Sequence, residues 1–390
     1  MNSYSAKKVV FHSAGIKIKK NNYFLNIGRN QNQKTSNILS SGSLLETSNS
    51  LGIPKLSFGN VDFYNVSILN NEFLLKAQIS HGIFEKDKYL RPPLLHEKLL
   101  IISKKFSNGY RASLGLDHRA MWGGQTELHG SQPQTFQDFI KVFFARPGSV
   151  NSIYQERENT LGNHLGSWMI TIEKKLDENL FKVYYEHPFE DESGARWLLN
   201  KFDGRYGISI NALENKLITN FVYEYLNTMN QSGSRPSSDS TYGWDNYFNH
   251  YLYQSGWTYN NRMIGNPLFT VGSNYDRYSN NIYIINNRIK AHHIGMDGII
   301  AVNIKYKILF TLSRNYGIYS DSDFYSSLQE YYKFSKGLLQ KSTLFQIRID
   351  NAWKKIGFSV SYANDNGDLL PKTNSFMMVI NYKLKLNNKY

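Results

Sequence analysis

Residues Ile299 to Arg314 read IIAVNIKYKILFTLSR, and their alternation decides how the rest of the chain is read. Ile300, Val302, Ile304, Tyr306, Ile308, Phe310 and Leu312 share one parity; Ala301, Asn303, Lys305, Lys307, Thr311 and Ser313 share the other, with Leu309 the exception. One face is apolar and the other polar. A soluble antiparallel sheet also alternates, but its strands usually run about 5 to 6 residues. Extended at roughly 3.3 Å per residue and tilted by about 40°, a strand of this length crosses a hydrocarbon layer. The expectation is a membrane barrel, with even positions toward lipid and odd positions toward a lumen.

The pattern recurs along the chain. Phe376, Met378, Ile380, Tyr382, Leu384 and Leu386 alternate with polar residues close to the aromatic C-terminal Tyr390, as in the final strand of bacterial outer-membrane barrels. Leu217 to Asn227 is another spanning candidate, and hairpins are expected across Asn70-Asn71, Ser107-Asn108-Gly109 and Asp177-Glu178-Asn179. About sixteen strands can be marked. Long irregular segments interrupt them at Gln31–Ser50, Met121–Asn163, His187–Lys201 and Thr228–Gly272. Phe136, Phe139, Ile140 and Phe143 recur at helical spacing, predicting a short amphipathic helix packed on protein. Short and long connections alternate, which fits a barrel with tight turns at one end and long loops at the other. No linker divides the chain, so residues 1–390 are expected to form a single barrel domain.

Composition agrees. Aromatic residues make up 15% of the chain, which suits the girdles of a barrel. Mean hydropathy is −0.48, and the longest apolar run, Phe376–Ile380, is far short of the ~20 residues a spanning helix needs. With no cysteine, thiol catalysis, Cys-ligated zinc and disulfides are excluded. The formal net charge of +14 predicts attraction to polyanions: acidic polysaccharide, lipopolysaccharide phosphates or nucleic acid. No RNP, zinc-finger or helix-turn-helix pattern supports nucleic acid. A secretory signal peptide, which an outer-membrane protein needs, is not visible at MNSYSAKKVVFHSAG.

Five segments, in order, resemble the capsule-assembly Wzi family: SLLETSNSLGIPKLSFG (Ser43–Gly59), LLHEKLLIISKKF (Leu94–Phe106), DHRAMWGG (Asp117–Gly124), YYEHPFEDESG with DGRYGI (Tyr184–Gly194 and Asp203–Ile208), and SGWTYNNRMIGNPL (Ser255–Leu268). The resemblance implies an 18-stranded outer-membrane barrel of a Gram-negative cell whose long, partly helical loops plug or cap the lumen. It also implies that surface loops bind capsular polysaccharide and help the capsule attach. A porin-like channel for oligosaccharides or anions is the competing reading, and an open lumen would favour it.

Enzyme chemistry finds no motif: Walker-A, GxSxG and GxGxxG are all missing. Glu190, Asp191 and Glu192 are read as a polar cluster paired with Arg196 and Arg205, and Asp365 to Asp368 as a turn. His292-His293 is read as exposed or lumenal, with no metal-ligand spacing. No cofactor or metal is therefore expected. The binding candidate is WDNYFNHYLYQSGW, in which Trp244, Tyr247 and Trp257 could stack on sugar C–H faces while Asp245, Asn246, Asn249 and Gln254 hydrogen-bond, helped by Arg196 and Trp197. The same segment could equally fold inward as a plug. The expected partners are an acidic capsular or exopolysaccharide, outer-membrane lipid and lipopolysaccharide, with the protein as a monomer.

Overall fold

The computed structural model describes residues 11, 13–29, 37–68, 71–190, 192–195, 200, 202–212, 217–233, 245–272, 284–318, 333–353 and 356–382. Sixteen strands hydrogen-bond into one antiparallel sheet. In chain order they are β1 (Ala14–Lys20), β2 (Tyr23–Arg29), β3 (Pro54–Asn60), β4 (Tyr64–Ile68), β5 (Asn71–Ile83), β6 (Leu94–Lys105), β7 (Tyr110–Trp122) and β8 (Asn163–Leu176). They continue as β9 (Asn179–Phe189), β10 (Gly204–Ala212), β11 (Asn220–Asn227), β12 (Ile289–Ala301), β13 (Ile304–Gly317), β14 (Lys333–Trp353), β15 (Ile356–Gly367) and β16 (Thr373–Tyr382). Each pairs with its chain neighbours, except that β3 and β4 lie end to end along β5. Asn60 bridges that break: its amide donates to the Leu75 carbonyl at 2.8 Å and accepts from Ala77 N–H at 2.6 Å, replacing the missing ladder bonds. The meander is a transmembrane barrel wall whose two end strands, β1 and β16, are not paired with each other among the described residues.

The decisive stretch is a hairpin rather than one strand. Ile299–Ala301 ends β12, Val302-Asn303 turns, and β13 begins at Ile304. Val302, 95% exposed, stands at the tip. The turn itself pairs an odd with an even position, Ala301 with Ile304, and a register shift between Ile299 and Ala301 restores even-with-even pairing such as Met296 with Ile308, so the alternation passes through unbroken. The rest of β12 was hidden because His292 takes an outward position, where it stacks on Tyr225 and Tyr223 instead of presenting an aliphatic side chain.

Strand parity separates the two faces of the wall. Glu97, Arg119, Glu186, Arg205, Glu224 and His293 point inward, where they are buried against a loop that enters the lumen. Outward positions carry an apolar belt matched in register: Ile18, Leu25, Phe58 and Ile79 stand side by side across β1, β2, β3 and β5, and Ile102 faces Leu114 across β6 and β7. Burial of so many exposed aliphatic rows needs a hydrocarbon surround.

Connections at one end are tight turns, such as Asn21-Asn22, Asp177-Glu178 and Val302-Asn303, with Asn21 and Asp177 at positive φ. At the other end lie the loops 30–53, 84–93, 123–162, 190–203 and 228–288. Outer-membrane barrels keep short turns in the periplasm and long loops outside the cell, which orients the chain. Ile308, outward on β13 opposite Met296 and Phe345, is expected to tolerate arginine poorly, at about 2–4 kcal/mol near the midplane, whereas Lys307→Gln on the lumen side should be nearly silent. Heat-modifiable gel mobility and outer-membrane abundance of the two variants check this.

Candidate functional site

The loop end of the lumen is filled. Leu44, Leu45 and Ile53 from the first long loop pack with Tyr247, Phe248, Leu252, Tyr253, Trp257, Met263, Ile264 and Phe269 from the loop after β11, and with Leu95, Met121, Leu165 and Leu226 of the wall. Trp257 is fully buried, and its indole N–H donates to the Leu45 carbonyl at 2.7 Å. Phe84 meets the Trp257 ring edge-on at 5.9 Å. Thr47 and Asn266 fasten the two loops together through Gly265 and Gly42 carbonyls, at 2.8 and 2.7 Å.

Two buried ionic clusters clamp the first loop to the wall. Arg119 reaches Asp117 at 2.9 Å, Glu97 at 2.8 Å and the loop's Glu46 at 2.5 Å, and Lys55 closes the ring on Glu97 at 2.8 Å and Glu46 at 3.3 Å. Further along the same stretch of wall, on β9 to β11, Arg205 binds Glu186 at 2.7 Å and also Glu224. Those carboxylates take the loop in turn: Ser40 and Ser41 hydroxyls donate to Glu224 at 2.6 Å, and the Ser43 hydroxyl and Leu44 N–H donate to Glu186 at 2.6 and 3.0 Å. His293 adds a contact to the Leu39 carbonyl at 2.7 Å. Below the clamp a lumenal cavity of about 710 Å³ remains, lined by Glu173, Lys182, Asn211 and Asp297 among others.

This arrangement sorts the expected site residues. Tyr247 and Trp257 have no exposed surface, so stacking on sugar is closed to them; they are core. Asn249 is a bracket, donating to Ile284 O at 2.9 Å and accepting from Ile284 N–H at 3.0 Å, and Asn246 accepts from Asn287 at 2.6 Å. Asp245 accepts from the Ser232 hydroxyl at 2.5 Å. Gln254 alone of the set lines a surface cleft, with Lys88, Thr126, Glu127 and Leu128. Arg196, Trp197, Trp244 and Asp191 lie outside the described residues. Arg205 pairs with Glu186 and Glu224 rather than with the Glu190–Glu192 run, and Glu190 accepts from Phe248 N–H.

Sequence reasoning overlooked the clamp residues Glu46, Lys55, Glu97, Arg119, Glu186 and Glu224, although five of the six sit inside the quoted family segments. Around the cleft, burial pulls the Lys88 ammonium down to about 8 while Glu85 at 3.8 Å partly restores it. Asn260 and Asn261, both at positive φ, turn an exposed hairpin whose Asn260 N–H donates to Glu85 at 3.0 Å.

The loop 123–162 takes a different course from the plug. Helix α1 (Phe136–Phe143) is capped by Thr135 and Asp138, and α2 (Tyr154–Glu158) follows. α1 packs on the outer wall, where Ala120 and Trp122 of β7, Val142 and Leu161 form a cluster separate from the lumenal one, whereas Ile153, which caps α2, packs against the lumenal cluster.

The family model of the capsule assembly protein Wzi matches residues 16–282. The chain belongs to that family. Among solved structures this Wzi-family chain is similar to the Escherichia coli outer-membrane protein Wzi, involved in group 1 capsule assembly and described as a carbohydrate-binding β-barrel. Identity is 13%, coverage is 93% of this chain and 69% of that one, and the TM-score is 0.56. More distant are a loop-deleted OmpT of Vibrio cholerae (8% identity, 95% and 80% covered, TM-score 0.35) and BamA of Haemophilus ducreyi (9%, 94% and 69%, TM-score 0.38). No curated protein sequence matches. Family and fold together place the protein in the Gram-negative outer membrane.

Two outcomes follow from the plug. Removing Arg205 leaves Glu186 and Glu224 buried without their cation, so Arg205→Ala should lose roughly 3–5 kcal/mol, read as a lower melting temperature and faster protease cutting within 37–53. Burial raises the Glu156 carboxyl from 4.5 to about 7, so the folded state prefers its proton. That stabilisation is whole below about pH 4.5 and is lost as pH rises through 7. Glu156→Gln should match the wild type in acid and melt higher at pH 8.

Proposed function

We propose that the protein is a surface lectin: its outer face holds a capsular or exopolysaccharide at the cell surface without altering it, and so assists capsule assembly or attachment. The plugged lumen carries this reading. A mouth filled by fully buried Tyr247, Phe248, Tyr253 and Trp257 leaves a rigid polar surface outside and no wide passage, which counts against the porin-like alternative. The carbohydrate binding described for Escherichia coli Wzi supports it. The sugar contacts are assigned to the cleft of Lys88, Glu127, Leu128 and Gln254 and the neighbouring Asn260, Asn261 and Arg262, exposed at the hairpin tip. Gln254 offers an amide with no hydrogen-bond partner among the described residues, and Lys88, held by Glu85 and the Thr258 hydroxyl, gives the cleft wall a positive charge.

An acidic polysaccharide suits the chain's +14 charge, because the clamps bury five carboxylates, Glu46, Glu97, Asp117, Glu186 and Glu224, against only three cations, Lys55, Arg119 and Arg205. The basic excess therefore lies elsewhere. The chain acts as a single barrel domain and as a monomer, without cofactor or catalysis.

Binding of purified capsular polysaccharide to the detergent-solubilised protein tests this. Gln254→Ala should weaken binding by roughly tenfold with the melting temperature unchanged, whereas Lys88→Ala, which strips Glu85 of its buried cation, should weaken binding and also lower the melting temperature; affinity should fall with salt as screening shortens to about 8 Å at physiological strength. Unchanged affinity in the double variant, or uptake of small sugars by proteoliposomes, overturns the assignment.

A further inference from the structure

Helix α1 presents apolar residues on two faces, and only one is used by the protein. Phe139 packs on His81 (4.8 Å between ring centres), His96 (5.4 Å) and Trp122 (6.0 Å), and Phe143 packs on His96 (5.3 Å). Phe136, Ile140 and Phe144, spaced four apart and so on one side of the helix, are 76%, 37% and 58% exposed.

The wall beneath α1 is the outside of the barrel. On β6, Glu97 points into the lumen to Lys55 and Arg119, so its neighbours His96 and Lys98 point outward. The same parity carries directly from His96 and Lys98 to Leu100 and Ile102, which are 41% and 38% exposed in the apolar belt. The helix is thus the upward continuation of the lipid-facing surface.

Its roll is fixed as well. Lys98, the wall residue nearer the belt, donates to the Phe143 carbonyl and lies 4.7 Å from the Phe143 ring centre, whereas Val142 clusters with Ala120, Trp122 and Leu161 nearer the mouth. At 100° per residue, the stripe lies beside Phe143 and away from Val142. It therefore faces the membrane. Beside the helix a groove of about 290 Å³, lined by Leu56, His81, Ile83, Leu94 and Trp122, opens on the same outer wall.

Arg146 flanks the stripe, its guanidinium 5.5 Å from the Phe144 ring; Lys141 is in the last turn of α1, and Arg157 follows on α2, 5.7 Å from the exposed Tyr154 ring, while Asp138 is buried in the cap.

We propose that α1 is a membrane-surface helix in the outer leaflet. Phe136, Ile140 and Phe144 enter the acyl layer, the adjoining groove takes an acyl chain, and Lys141, Arg146 and Arg157 meet lipid phosphates. Apolar area and anionic attraction together set the strength of such seating. Its consequence is a loop held laterally at the rim, independent of sugar binding at the mouth.

The chain has no cysteine, so single-cysteine variants can carry an environment-sensitive fluorophore without background. Phe136→Cys, Ile140→Cys, Phe144→Cys and, as the water-facing control, Arg262→Cys at the exposed hairpin tip of the mouth are labelled in the full-length protein and reconstituted into phosphatidylethanolamine/phosphatidylglycerol liposomes, with heat-modifiable mobility confirming folded barrels. Brominated lipid should quench positions 136, 140 and 144 at least about twofold more than 262, with iodide giving the reverse order. Replacing phosphatidylglycerol by phosphatidylcholine should reduce the difference, as should the Arg146→Gln/Arg157→Gln pair. Equal bromolipid quenching at all four positions overturns the proposal. So does protection of the stripe in detergent that grows with protein concentration, which would assign it to a second copy.

Discussion

Arginine buried inside the wall is the constraint from which the rest of the molecule follows. Arg119 and Arg205 project from β7 and β10 into a lumen that the polar face of every strand would otherwise leave full of water. Each is surrounded by more carboxylate than it can neutralise alone: at Arg205 the surplus acceptors are taken by hydroxyls and N–H groups of residues 40–44, and at Arg119 the loop adds Glu46, with Lys55 as the second cation. A charge in such surroundings is tolerable only when its partners are complete. The first loop is therefore a component of the wall's electrostatics, and once it is fixed it offers Leu44 and Leu45 as the floor on which the long loop after β11 condenses.

That order of dependence explains what the sequence disclosed and what it concealed. The period of two was legible wherever lipid demanded aliphatic side chains, as on β13, and the number of strands followed from it. It failed in two places for opposite reasons: the register shift beside Val302-Asn303 cancelled the parity change of the turn, and β12 put His292 where an aliphatic residue was expected. α1 was legible from its spacing, but not the side of the wall it covers, because Phe139 and Phe143 would pack equally well on either.

For the site, aromatic richness pointed at Tyr247 and Trp257, and both turned out to be scaffolding. An indole N–H with a carbonyl at 2.7 Å and a ring with no exposed surface is satisfied already, and sequence cannot tell that indole from one awaiting a sugar. The quoted family segments were informative in another way. Ser43–Gly59 and Ser255–Leu268 are far apart in the chain yet lie against each other, and the acid–arginine pairs of the clamp fall within or beside the same segments. What those segments record is the plug's attachment, while the cleft around Gln254 and Lys88 lies mostly outside them.

The Trp257–Leu45 hydrogen bond joins residues 212 positions apart. Contacts of that separation form late, because the intervening chain must first be brought round. The wall between β2 and β12 has to be laid down before the plug can condense. The aromatic lid over the arginines is thus a joint between the two ends of the wall, and the mouth is stoppered only where both loops are present together.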